Sequence, residues 1–160
     1  MKTESPPVTV REARPDDQPF ILETAGRLAG GFPLPPWRSS EEVVAGEVRT
    51  LRDFLSDGGA GSKLLVAEDA HGNPLGFIFL ETGEDYFTLT RHGHVGILAV
   101  AVAAEGRGAG RALMQAAEAW GREQGFPKLT LNVFENNHHA RKVYERLGYS
   151  PETLKYVKPL

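Results

Sequence analysis

Residues 98–113 read Leu98-Ala99-Val100-Ala101-Val102-Ala103-Ala104-Glu105-Gly106-Arg107-Gly108-Ala109-Gly110-Arg111-Ala112-Leu113. An apolar, partly β-branched run, read as a buried strand, enters a glycine-rich turn, and the turn opens a helix. The first N–H groups of a helix have no partner within it, carry partial positive charge and suit a phosphate. Gly108 and Gly110 let the backbone approach phosphate oxygens with no side chain in the way. Arg107 and Arg111 flank the loop and offer charge-assisted contacts. The same residues also read as a tight strand-to-helix turn with two solvated arginines, and the segment alone leaves both readings open. It is not a nucleoside-triphosphate loop, because no Gly-Lys-Ser/Thr is present, and its glycine spacing departs from the dinucleotide fingerprint.

Working outward, His94 to Val102 predicts a central strand and Gly108 to Gln124 a helix, with Leu113, Ala117 and Trp120 in one stripe. Lys63 to Ala67 and Leu75 to Leu80 predict two strands of a hairpin around the turn His71-Gly72-Asn73-Pro74. Leu129 to Phe134 predicts a strand, Asn137 to Leu147 a helix closed by Gly148, and Thr153 to Val157 a last strand. Toward the start, Val8 to Arg11 alternates as a short strand. Arg14-Pro15-Asp16-Asp17 supplies a turn and a candidate helix cap, followed by Phe20, Ile21, Thr24, Ala25 and Leu28 on one helix face. Gly30 to Pro36 is too rich in glycine and proline for regular structure. Ser39-Ser40-Glu41-Glu42 opens a second helix, with Val44, Val48, Leu51 and Leu55 on its buried side. Residues 1–7 read as a flexible tail and 8–160 as one domain of mixed α/β class around a single sheet.

Composition narrows the function. A length of 160 residues fits one self-sufficient core. The net charge of -3 argues against a dedicated nucleic-acid binder. There are no cysteines, which rules out disulfides, thiolate metal sites and a cysteine nucleophile. The start lacks the apolar core of a signal peptide, and no apolar run reaches the ~18 residues of a membrane span. The expectation is a soluble cytoplasmic protein with no membrane or nucleic-acid partner. His138 and His139 point about 100° apart on a helix and cannot easily share a metal, so no metal is expected.

A second stretch joins the glycine loop: Leu129-Thr130-Leu131-Asn132-Val133-Phe134-Glu135-Asn136-Asn137-His138-His139-Ala140-Arg141-Lys142-Val143-Tyr144-Glu145-Arg146-Leu147-Gly148-Tyr149. Together with Val8-Thr9-Val10-Arg11-Glu12-Ala13, these segments resemble the GNAT superfamily of acyl-CoA N-acyltransferases over roughly residues 8 to 158. That family's pyrophosphate loop reads Arg/Gln-x-x-Gly-x-Gly/Ala. Gly108 and Gly110 match it, whereas Glu105 stands where Arg or Gln is usual. The resemblance implies a central, mixed, mostly antiparallel sheet with splayed central strands, flanked by helices. It implies acetyl-CoA as cosubstrate, with pantetheine between the splayed strands, pairing with backbone around Val100 and Val102 as an added strand does. Arg107, Gly108, Ala109, Gly110 and Arg111 would cradle the pyrophosphate, with Tyr144 also at the cofactor; Asn137 reads either as the cap of its helix or as a further cofactor contact.

The implied reaction is attack of a primary amine, on a small molecule or a peptide, at the thioester. Much of its rate comes from holding both reactants together, and a backbone N–H near Val100 would face the oxyanion. Tyr144 matches the family's tyrosine that protonates the departing sulfur. Many members carry a base glutamate two residues before the leucine of the central strand, where this chain has Gly96. By strand alternation His94 lies on the same face and is the candidate for relaying the amine's proton; Glu81, Glu84 and His92 are weaker candidates. Trp37 and Phe32 read either as lining for the acceptor pocket or as a lid on the core. Family members often form homodimers. The alternative function is a non-catalytic acyl-CoA-binding or sensing module, because fold and cofactor site do not by themselves make turnover.

Overall fold

The computed structural model describes residues 6–160. Most of the expected amino-terminal tail, residues 1–5, lies outside the described residues. The elements are β1 (Thr9–Glu12), α1 (Gln18–Ala25), α2 (Ser40–Asp57), β2 (Lys63–Glu68), β3 (Pro74–Glu84), β4 (Arg91–Val100), α3 (Ala109–Glu123), β5 (Leu129–Leu131) and α4 (His138–Arg146). The strands form one five-stranded sheet in the order β1-β2-β3-β4-β5. The first three pairings are antiparallel, and β4 with β5 is parallel.

Two apolar clusters sandwich the sheet. Leu65, Ile78, Leu80 and Val95 meet Leu113, Met114, Ala117 and Trp120 of α3 on one face. Val66, Phe77, Phe79, Ile97 and Ala99 meet Ile21 and Ala25 of α1 and Leu51 of α2 on the other. Both faces of the central strands are therefore covered, and this is why their sequences run apolar without a break. Helix α2 begins as its sequence predicts: Ser39 Oγ accepts the Glu42 N–H at 3.2 Å and the Glu42 carboxylate accepts the Ser39 N–H at 3.2 Å.

The amino-terminal turn works differently from a helix cap. The Asp17 carboxylate accepts the Arg14 N–H at 2.7 Å and is gripped by both Arg11 Nη1, at 2.7 Å, and Nη2, at 3.0 Å. Arg11 also donates through Nε to Glu68 at 2.6 Å, so one guanidinium ties β1, the turn before α1 and β2 together. Asp17 is 7% exposed. The Arg11 hydrogen bond outweighs its burial and holds its carboxyl below the usual range.

Several boundaries differ from the sequence reading. The hairpin arm β3 runs on from Leu80 to Glu84, and β4 begins at Arg91, so the connecting loop shrinks to residues 85–90. Strand β4 stops at Val100. The Ala101 N–H turns back to the Leu75 carbonyl at 2.8 Å, and Val102–Ala104 forms a single 3-10 turn. Strand β5 holds only three residues and ends before Phe134. Leu28 lies just beyond the end of α1, in the turn that follows. The expected strand Thr153 to Val157 does not form; residues 151–160 carry no regular structure and are exposed throughout. Alternation is a necessary condition for a strand but not a sufficient one, and this segment pairs with no edge of the sheet.

Candidate functional site

The site follows from how two strands part. β4 and β5 pair only at Gly93–Leu129, His94–Thr130 and Val95–Leu131. Beyond Val95, β4 continues to Val100 with no strand among the described residues on that side, which opens a V between them. A bulge sits where the V begins: Phe79 pairs with Ile97 and Leu80 with Val95, leaving Gly96 without an opposite residue on β3.

The mouth of the V leads to α3. Its cap residue Gly108 has φ +84°, a left-handed conformation that glycine adopts without penalty. No side chain caps the helix, and among the described residues the N–H groups of Ala109, Gly110 and Arg111 donate to nothing. A Cβ on Gly110 would meet only Val100 Cγ2, at 3.7 Å. Folding does not require glycine there, and a glycine inside a helix costs about 0.5–1 kcal/mol against alanine. Unclaimed donors beside an unfilled cradle fit a phosphate group.

The side chains around this loop are already engaged. Arg107 reaches toward Asp69, with Nη2 to Oδ2 at 3.6 Å. Glu105 pairs with Arg27 at 2.6 Å, and the same guanidinium donates to the carbonyl of Val100. Arg27 lies just past α1 and carries no motif, so nothing in the sequence pointed to it. Of the two backbone positions expected to meet pantetheine, Val100 is the last residue of β4. Val102 is not in the strand: the 3-10 turn carries it away, 66% exposed, so it offers no ladder position.

Tyr144 is half-buried on α4, against the α3-side cluster, with its ring edge-on to Tyr149 at 6.1 Å between centroids. Burial pushes its hydroxyl pKa above 10, so it stays protonated at neutral pH and is available as a donor. Asn137 caps α4, its side-chain oxygen accepting the Ala140 N–H at 3.2 Å. Phe32 crosses from the proline-rich segment to stack on Phe134, just after β5, with 5.6 Å between centroids; Trp37 is 43% exposed. No group of three or more His, Cys, Asp or Glu able to hold a metal exists among the described residues.

The α1/α2 face of the sheet carries polar groups where the V begins. Glu81, His94 and Thr130 lie side by side on β3, β4 and β5. His94 Nδ1 is 2.8 Å from Thr130 Oγ1. Burial pushes its imidazole pKa down; Glu81 opposes the shift and His92 adds to it. Glu47 reaches this group from α2, its carboxyl pushed up by burial and by the charge of Glu81. Strand alternation had placed His94 on this face, and the glycine at 96, inside an apolar strand, sits at the bulge beside it.

The comparisons fit this geometry. A model of the Acetyltransferase (GNAT) family matches residues 32–149. The chain belongs to the GNAT acetyltransferase family. Among its relatives, the mycothiol acetyltransferases of Salinispora tropica and Salinispora arenicola are 34% and 33% identical over 146 residues, 89% of this chain. The chain spans 45% of those relatives' length. A putative acetyl transferase from Pyrococcus furiosus superposes with a TM-score of 0.75 at 26% identity, over 96% of this chain and 100% of that one. A GCN5-related N-acetyltransferase from Ralstonia eutropha gives 0.71 at 26% identity, over 96% and 99%. The splayed sheet expected of a GNAT chain is thus the fold observed, and no helix among the described residues is long and apolar enough to cross a membrane.

Proposed function

We propose that the chain is an N-acetyltransferase that moves an acetyl group from acetyl-CoA to a primary amine. One observation carries this reading: β4 parts from β5, and after one 3-10 turn and the glycine loop the chain opens an uncapped helix N-terminus, giving a strand-like groove that ends at an anion cradle. The backbone of residues 108–111 would hold the pyrophosphate, with Arg107 and Arg111 beside it, and β4 up to Val100 would take pantetheine as an added strand. When bound, acetyl-CoA supplies an activated acyl carbon. Tyr144 holds the proton that the sulfur must receive, and His94, neutral at physiological pH, stands on the amine's side as a relay. The small-molecule names of the Salinispora relatives support a small acceptor rather than a protein.

The test is thiol release from acetyl-CoA with a panel of primary amines: an amino sugar, an amino-acid amide, an arylalkylamine and a polyamine. Amine-dependent release supports transfer. Saturable binding of acetyl-CoA with no release would instead support a non-catalytic acyl-CoA-binding module.

The groove also makes a binding prediction. A ligand strand needs the Val100 carbonyl, which Arg27 holds with Glu105 as its anchor. The charge-neutral double substitution Arg27→Met/Glu105→Gln removes the competitor without altering net charge. It is expected to tighten acetyl-CoA binding about 5-fold by calorimetry, on the order of one hydrogen bond's net worth.

A further inference from the structure

Acetyl transfer to an amine needs a group that accepts the proton the nitrogen sheds, and the geometry points to Glu81 of β3 as that group, seated over the bulge glycine Gly96 at the root of the V. This rests on the acetyltransferase reading above and adds a catalytic residue to it. Three observations place the carboxylate there. A Cβ built on Gly96 would stand 2.7 Å from Glu81 Oε2 and 3.5 Å from Cδ, so the Glu81 carboxylate occupies the space that any other residue at 96 would fill. Gly96 is also the unpaired residue of the bulge and the first residue of β4 beyond its last pairing with β5. Backbone pairing, glycine and carboxylate therefore change together at one point, where the acyl carbon's groove meets the α1/α2 face. Finally, among the described residues nothing donates a hydrogen bond to the Glu81 carboxylate and no cation pairs with it, although it is only partly exposed. The structural carboxylates of this chain look different: Asp17, Asp69 and Asp85 each accept several donors.

The surroundings suit a proton acceptor. His94 lies directly opposite Glu81 across the strand pair and is fixed by Thr130. Glu47 faces the same spot from α2, its own carboxyl pushed up by burial and by the like charge of Glu81. His92, two residues before His94, packs its Nε2 against Gly83 instead. In the step, the nitrogen lone pair forms the C–N bond to the acyl carbon, the C–S bond breaks with its electron pair going to sulfur, Glu81 takes a proton from nitrogen, and Tyr144 gives one to sulfur. Solvent returns Glu81 and Tyr144 to their starting states, so the net change moves one proton from nitrogen to sulfur. An acceptor arriving as ammonium releases one further proton to solvent.

The test uses Glu81→Gln and Glu81→Ala with the fastest amine of the panel, together with His94→Gln, calorimetry of acetyl-CoA and added formate. Both Glu81 substitutions are expected to lower kcat by about 100-fold or more while leaving acetyl-CoA affinity within about 2-fold. Formate, a small carboxylate able to enter the vacated space, is expected to restore part of the rate to Glu81→Ala and none to Glu81→Gln, whose amide still fills it. Glu81→Gln keeps the side chain's shape, so it remains informative if Glu81→Ala is poorly folded. Retention of wild-type kcat within about 3-fold by Glu81→Gln, or a loss confined to His94→Gln, overturns the assignment while leaving the acetyltransferase reading standing. A wild-type protein that binds acetyl-CoA but acetylates none of the amines removes both.

Discussion

Tyr144→Phe is expected to lower the rate of amine acetylation by about 100-fold or more while leaving acetyl-CoA binding nearly unchanged. The ring packs in the α3-side cluster and against Tyr149, and phenylalanine preserves that packing. What disappears is one O–H. Burial holds that hydroxyl protonated through neutral pH, and general-acid contributions of this kind are worth roughly 10²–10⁴ in rate. The measurement is kcat by thiol release beside acetyl-CoA affinity by calorimetry. An unchanged kcat would reduce Tyr144 to an aromatic anchor of α4.

Arg11→Ala is expected to cost about 3 kcal/mol of stability at pH 7. Arg11 joins three elements through Asp17 and Glu68, and its removal leaves Asp17, nearly buried, with a charge and only the Arg14 N–H to meet it. Breaking a buried pair by removing one partner typically costs about 3–5 kcal/mol, and the partial exposure of Arg11 and Glu68 favours the lower end. The pH dependence has a definite sign. The folded pKa of Asp17 is depressed by Arg11, so the stabilisation is present above the ordinary carboxylate pKa near 4 and is lost as pH falls toward the folded value. Urea unfolding should therefore show the gap between wild type and Arg11→Ala wide at pH 7 and narrower at pH 3. A gap independent of pH would mean that Arg11 acts through packing of its aliphatic stem.

The order of elements was legible because both faces of the sheet are covered. The apolar runs of β2, β3 and β4 and the stripe of α3 can hardly be read otherwise, and Ser39-Ser40-Glu41-Glu42 marked the start of α2. What escaped were properties set by neighbours. Whether Thr153 to Val157 becomes a strand depends on an edge to pair with, and where β4 ends depends on the Leu75 carbonyl recapturing the chain at Ala101. The glycine cradle came from the strand, glycine turn and helix start in series, and Tyr144 from the resemblance to the GNAT family. The Asn137 cap was recognised as one of two readings, and the structure uses its side-chain oxygen for it. The amine-side group was legible only in part: His94 followed from strand alternation, but the closeness of Glu81 to Gly96 required the register of β3 and the position of the bulge. Arg27 could not have been found, because its link to Val100 and Glu105 joins segments far apart in sequence with no periodic relation between them.

The central claim is that the helix N-terminus at Gly108 to Arg111 is an anion cradle for acetyl-CoA. Gly110→Glu tests it most directly. The position tolerates a side chain as far as folding is concerned, since its Cβ would find only an ordinary contact with Val100. The new carboxylate would add bulk and like charge where phosphate must sit. Calorimetric titration with acetyl-CoA should show saturable binding to wild type, and binding weaker by about 100-fold, roughly 2.7 kcal/mol, to a variant with an unchanged melting temperature. Equal affinity in the two proteins, or no binding to folded wild type, would contradict the account.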